Sequence, residues 1–470
     1  MILKKSLHSS EKNPMSQNGR RRIAPLFILV LTAAAPALFA QAPTSTLEVS
    51  QPPQGARATA GGDTSLTITL QDALERARAN DPQYHAALTD LGVAREDRVQ
   101  ARAGLLPGVT YNNSFIYTEG TGRSGTSRFV ANNGVHEYIS QGDAHESLSV
   151  TNFADYRRSA AALAQARAKA EIASRGLVVA VTQAYYGLVI AQRKYSTAQR
   201  ATTEAQRFLK ISQDLQNGGE VARADVVKAT IQAQQQQRDL QEAQLGMQRS
   251  RLDLAVMIFS DWNQNFSVVD DLQTPEPLPT FVEVQVAGKK NNPDLRAALA
   301  ALAVANHQVT AAWGGLLPAL SVDYFYGIDS NKFAVRTDGV RNLGYSAVAT
   351  LQIPIFSWGS DRSKLKQAEL RRDQAKVELS HEQRLLLSHL QEFYEEARIA
   401  RSEMDSLASS AELAADSLRL TNLRYQAGEA TVLEIVDAQN TLTQARNAYD
   451  DGQVRYRVAV ANLQTLTGSF

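Results

Sequence analysis

Cysteine is absent from the 470-residue chain. That excludes a disulfide framework, a thiolate nucleophile, an iron–sulfur cluster and any Cys zinc site. It also excludes a lipidated amino-terminal Cys anchor. An excess of charge of one sign is lacking too: 49 Lys and Arg oppose 48 Asp and Glu, for a formal net charge of +1. A nucleic-acid footprint needs a clear basic excess, so nucleic acid is not an expected partner. Long apolar runs are scarce. A mean hydropathy of −0.28 with 21% charged residues does not fit a polytopic helical membrane protein. Proline is missing from two long tracts, Pro107 to Pro275 and everything after Pro354. Tracts of over a hundred residues without proline permit very long helices.

What is present begins with a targeting segment. Arg20-Arg21-Arg22 precedes an apolar stretch, Ile23 to Phe39, with small residues at its exit. This is the layout of a secretory signal over residues 1–40. Residues 41–64 are rich in Gln, Pro, Ser, Thr and Gly and read as a flexible leader. Residues 1–40 hold six Lys and Arg and one Glu, so the remainder carries 43 basic and 47 acidic residues, near −4.

The rest reads as two related halves, 65–274 and 275–470. Asn80-Asp81-Pro82 is matched by Asn291-Asn292-Pro293, and Leu105-Leu106-Pro107 by Leu316-Leu317-Pro318, both at an offset of 211. Gly218-Gly219-Glu220 is matched by Ala427-Gly428-Glu429 at an offset of 209. A period this long predicts an internal duplication rather than a short solenoid repeat. Pro275, Pro277 and Pro279 mark the junction.

The second half carries an apolar stripe through Leu386, Leu390, Phe393, Ala397, Ala400, Met404, Leu407, Ala411, Ala414, Leu418, Thr421 and Tyr425. Its steps alternate four and three, the spacing of a coiled-coil seam. Shifted by 209, nine of twelve positions are apolar in the first half, from Leu177 to Leu209. The spacing predicts one helix from about Gly359 to Tyr425, a Gly-containing break, and a second helix ending near Thr467. The first half predicts the same hairpin, breaking at Gly218-Gly219 and ending near Phe259.

Between the helices lie candidate strands. Leu320, Val322, Tyr324 and Tyr326 alternate with Ser321, Asp323, Phe325 and Gly327. The segment from Tyr345 to Ile355 alternates in the same way, as does Val109 to Tyr117. A fourth strand is placed at Ser147 to Phe153, on the weakest pattern. These have about the 9–11 residues a bilayer-crossing strand needs, with one apolar face. Four strands cannot close a barrel, and an open edge cannot sit in lipid. Several copies must therefore share a barrel; three copies give one of about twelve strands. The charge-free run Ala297 to Val322 has the length of a membrane helix. Its counterpart, Ala86 to Tyr111, carries six charges, so both read as water-exposed helices running into a strand.

Over nearly all of residues 65–470 the pattern resembles the TolC-like outer-membrane efflux protein family. The paired Leu-Leu-Pro turns, Leu351-Gln352-Ile353-Pro354-Ile355-Phe356-Ser357-Trp358-Gly359 and the stretch Tyr425 to Ala438 carry the resemblance. It implies a mainly α fold with a small β part. Long antiparallel helices of a homotrimer form a periplasmic α-barrel, continued by a twelve-strand barrel in outer-membrane lipid. The implied partners are a periplasmic adaptor protein, which docks at the tip, and an inner-membrane pump. The implied gate residues are Tyr425, Glu434, Asp437 and, in the first half, Asp225, with Gln216 replacing a Tyr-like partner. The implied adaptor contacts are Gly219, Glu220, Gly428 and Glu429. The family's latch Arg, two residues after the Gly, is Ala430 here. That implies a weaker latch or one made by Arg223.

The acids also have a plainer reading. Glu434 and Asp437 share one helix face, and three-fold symmetry would gather six carboxylates in a narrow ring that attracts cations. Yet Thr431-x-x-Glu434 is also a capping box, and acids in a first helical turn complement the helix dipole. Gly120-Thr121-Gly122-Arg123-Ser124-Gly125 fits a dinucleotide-loop pattern but leads into no helix. His381 and His389 are over two helical turns apart and complete no metal site. No enzyme, cofactor or metal is expected. The leading function is passive efflux of small toxic molecules. Protein secretion with a type I system is the alternative inside the family, and a structural coiled-coil envelope protein the alternative outside it.

Overall fold

A computed structural model describes residues 66–118, 136–273, 277–331, 339 and 342–468. The signal, the leader, Pro275 and the Gly120–Gly125 motif lie outside the described residues.

The chain opens with β1 (Leu66–Ile68), α1 (Leu70–Asn80) and α2 (Pro82–Ala103). Thr69 and Asp72 form a capping box that starts α1. Proline ends and restarts the helix: Asp81 is held extended before Pro82, and its side chain caps α2. Next come β2 (Gly108–Tyr117), β3 (His136–Leu148), α3 (Val150–Asn217), α4 (Arg223–Ile258) and β4 (Phe266–Val268). The order then repeats with α5 (Phe281–Asn291), α6 (Pro293–Gly314), β5 (Ala319–Ser330), β6 (Gly344–Gln352), α7 (Ser360–Gln426) and α8 (Val432–Thr467). The same chemistry sets the boundaries: Thr280 and Glu283 box α5, and Asn292 caps α6 ahead of Pro293. The lengths pair closely. α1 and α5 have 11 residues, α2 and α6 have 22, α3 and α7 have 68 and 67, and α4 and α8 have 36.

At about 1.5 Å per residue, α3 and α7 are each about 100 Å long. Near the sheet, α3 packs beside α2 and α6, and α6 packs beside α7. Farther away, α3 packs beside α4 and α8, and α8 beside α7. None of the twelve seam positions on α7 is exposed. The same holds for their counterparts on α3, which buries a wider band including Tyr185, Tyr186 and Val189 because it has neighbours on both sides. The charge-free run divides between α6 and β5, and among the described residues no helix is long and apolar enough to cross a membrane.

Small elements form a collar midway along the long helices. β1 and β4 pair in parallel, Leu66 opposite Phe266. They pack with α1 on α3 and α4 through Ile68, Ala73, Tyr185, Leu254 and Ile258. Tyr185 ties this sheet to α3: its hydroxyl lies 2.8 Å from the Val269 carbonyl, and burial pushes its pKa up to about 12. α5 packs on α7 and α8 through Val284, Leu390 and Tyr456.

The second sheet is antiparallel in the order β2-β3-β5-β6. Its register puts Leu320 beside Leu351, Val322 beside Ala349, and Tyr326 beside Tyr345 on one face. Phe115 stands beside Tyr138 on the same face. The other face carries Thr110 beside Asp143, and His145 beside Asp323. Two expectations are corrected here. The fourth strand is His136–Leu148, not Ser147 to Phe153. Ser149 accepts a hydrogen bond from the Asn152 amide and caps α3, so Val150 and Phe153 belong to a helix. The strand from Tyr345 stops at Gln352, just before Pro354, which can offer no amide to a ladder.

Candidate functional site: the helical tips

Both long helices end by the same device. Beyond α3, Gly219 takes φ +79°, its amide donates to Gln216 O at 2.9 Å, and the Glu220 amide donates to Leu215 O at 2.9 Å. Beyond α7, Gly428 takes φ +76°, its amide donates to Tyr425 O at 3.0 Å, and the Glu429 amide donates to Arg424 O at 2.8 Å. This is a Schellman stop, and its left-handed residue favours glycine. Gly219, Glu220, Gly428 and Glu429 are all exposed.

The restart differs between the tips. Thr431 caps α8 in a full capping box with Glu434. Glu434 Oε1 accepts from the Thr431 amide at 3.0 Å and the Thr431 hydroxyl at 3.1 Å, and Oε2 accepts from Arg424 at 3.2 Å. The same guanidinium donates to Glu429 O at 2.9 Å. The Thr431 amide, then its hydroxyl, with Arg424 adding, hold the Glu434 carboxyl below its usual range. α4 instead starts after Ala222, which supplies no side-chain cap. Arg223 is exposed, and Asp225 stands 3.8 Å from Lys228.

Tyr425 is not at the surface. Its ring packs edge-on to Phe208, with centroids 5.1 Å apart, in a cluster with Ala229, Val432 and Ile435. Its hydroxyl shares a 3.1 Å hydrogen bond with Ser212. Gln216 lies half-buried one turn farther along α3, and Asp437 is exposed. The structure therefore commits Tyr425 to the buried cluster and Glu434 to the capping box, and leaves Asp437 exposed.

Sequence reasoning missed two residues. Arg424 reaches Glu434 from before the break, whereas the expectation was a weaker latch or one made by Arg223. A basic residue in the last helical turn is the signal that could have found it. Ser212, which no sequence pattern singled out, shares the hydrogen bond with the Tyr425 hydroxyl.

Comparison with known proteins fixes the family. The family model described as outer membrane efflux protein matches residues 73–258 and 287–469. The chain belongs to that family. It is 24% identical over 416 residues to the alkaline protease secretion protein AprF of Pseudomonas aeruginosa, covering 86% of this chain and 85% of the relative. It is 22% identical to the outer membrane protein TolC of Escherichia coli, covering 86% and 83%. Among solved structures, the outer membrane protein VceC of Vibrio cholerae superposes with a TM-score of 0.74 at 18% identity, covering 85% of this chain and 96% of that one.

Proposed function

We propose that the chain is the outer-membrane conduit of a tripartite export system, a passive duct for small toxic molecules driven by an inner-membrane pump. One observation carries this reading. The four-stranded sheet has an apolar face, a polar face and two unpaired edges, and it runs directly into helices about 100 Å long. β2 and β6 are those edges, and all of β6 is exposed. An open edge cannot face lipid, so β2 of one copy pairs with β6 of the next. Three copies close a barrel of about twelve strands. The same closure covers α2, which buries no residue within one chain. The repeated element order and the two stretches matched by one family model support an internal duplication, 65–274 and 275–470.

The tips form the gate and the docking end in this reading. Tyr425 holds the two hairpins together, Asp437 and its symmetry mates form the acidic ring, and Glu434 shapes the turn behind them. Asp225 and Gln216 line the first-half side. The periplasmic adaptor docks on Gly219, Glu220, Gly428 and Glu429. The experiment is membrane fractionation of the mature protein, followed by unheated gels and planar bilayers. Heat-labile trimers from the outer membrane that form pores are expected; a soluble monomer overturns the reading. AprF's name favours a second cargo class, secreted protein, for the same duct. Co-purification of the pump and adaptor separates the two.

A further inference from the structure

The turn that leads from the sheet into α7 holds its backbone in a conformation that its sequence does not favour. Trp358 takes φ +52° and Gly359 φ +83°, and across them the Ser360 amide donates to Ser357 O at 3.0 Å. A turn with two left-handed central residues suits Gly, Asn or Asp. Among the described residues Trp358 is the one non-glycine residue with a positive φ. A bulky side chain in that region strains the backbone. Burial within the chain does not offset the strain. Trp358 is 90% exposed, and its ring meets Phe356 edge-on with centroids 4.8 Å apart. Phe356 is itself 72% exposed and Ile355 92%.

The strand order says what lies beside these apolar residues. β2 and β6 are the two edges of an antiparallel four-stranded sheet, so they run in opposite directions. When β6 of one copy meets β2 of the next, the pair is antiparallel, and the end of β6 at Gln352 falls beside the start of β2 at Gly108. The chain leaving β6, Ile353 to Trp358, then runs beside the chain entering β2, Leu105-Leu106-Pro107. Leu106 is exposed there, as are Val109 on β2 and Val99 on α2. Both sides of the contact are therefore apolar, and both face solvent within a single chain.

We propose that Ile355, Phe356 and Trp358 form a hook that seats on the Leu105-Leu106-Pro107 turn of the next copy, carrying the contact between copies from the strands into the start of the helices. The hook rests on the export reading for the pairing of β6 with β2. Burying the indole against the neighbour offsets the strain of the turn that presents it. That strain makes the sign of one substitution diagnostic. Trp358→Gly relieves the backbone of a lone chain but removes the largest side chain of the hook. If the ring is idle, Gly leaves the assembled copies as stable as before or more so; if it is a hook, Gly weakens them.

The absence of cysteine allows disulfide trapping without background. Ile355→Cys is combined with Leu106→Cys in the full chain. Within one chain these positions flank opposite edges of the sheet, about 14 Å apart across three strand spacings. That is beyond the reach of a disulfide, so a bond between them joins two copies. Oxidised outer-membrane fractions on non-reducing gels should give covalent dimers and trimers that survive boiling, and neither single variant should give a covalent trimer. In parallel, chains carrying Trp358→Gly or Trp358→Phe are heated in detergent. The temperature at which trimers come apart should fall in Trp358→Gly, and fall less in Trp358→Phe. Trimers that do not link, or that keep or gain heat stability in Trp358→Gly, overturn the hook and leave the export reading standing. A loss of stability seen in lipid vesicles but absent in detergent assigns the ring to the membrane and also overturns the hook. If Trp358→Gly fails to fold, Phe356→Ala decides, and an unchanged temperature there overturns it. A chain that forms no trimers at all overturns both readings.

Discussion

The two helical tips stop alike and restart differently. Both use a left-handed glycine and the same pair of closing hydrogen bonds. At the second tip, Thr431 and Glu434 then close the start of α8 with two hydrogen bonds, while Arg424 at the end of α7 donates one to Glu434 and one to the Glu429 carbonyl in the turn. At the first, Ala222 leaves the opening amides of α4 without a side-chain cap. Uncapped amides cost helix stability and fray. The contrast is that near-identical breaks lead into one capped restart and one uncapped restart.

The largest break in that contrast is Tyr425→Ala. The ring is 5% exposed and fills the cluster between the hairpins. Truncating a buried aromatic costs about 3–5 kcal/mol. The loss should appear as reduced hydrogen-exchange protection at the starts of α4 and α8. Tyr425→Phe keeps the ring and loses only the bond to Ser212, worth about 1 kcal/mol. If the two variants lose equal protection, packing by Tyr425 does not hold the hairpins.

The caps come next. Thr431→Ala should cost about 1 kcal/mol, and Ala222→Thr should restore a cap and gain a similar amount. Exchange rates in the first turns of α8 and α4 measure both. Either substitution alone should make the tips alike, and both together should reverse them; a first tip already as protected as the second would contradict the contrast.

Why one tip was legible and the other was not follows from the residues. Thr431-x-x-Glu434 names its own geometry, and the glycines name theirs. The α7 seam was legible because its buried stripe is narrow and regular. On α3 the same spacing caught only part of a wider buried face. β3 was misplaced because His136 to Leu148 is mostly polar, whereas Leu148, Val150 and Phe153 beside it imitate a strand. β1 and β4 have three residues each and carry no period at all. Arg424 went unseen because a basic residue at a helix end is common, and only the fold shows that it reaches Glu434.

Acid should separate the tips further. The Glu434 carboxyl is held below its usual range. A depressed carboxyl contributes stability that is present above the ordinary carboxylate range and fades as pH falls through the depressed value. Protection of the α8 start should therefore hold at neutral pH and drop only below about pH 4. Glu434→Gln should remove that step and leave the start of α4 unaffected. A step that survives the substitution belongs to another group.

The smallest effect expected at the helical level is the most telling for transport. Asp437 is exposed and Glu434 is committed to the capping box, so in the proposed gate the acid left to face a passing ion is Asp437. Exposed carboxylates gathered by three-fold symmetry attract cations without needing to hold the fold. In planar bilayers, Glu434→Ala with Asp437→Ala should raise conductance or relieve block by divalent cations. Asp437→Ala alone should relieve the block without changing tip protection, whereas Glu434→Ala alone should loosen the turn. If block and conductance stay unchanged in the double variant, the acidic ring is not the constriction. If Asp437→Ala instead loosens α8, then its charge serves the helix and the division of labour between the two acids fails.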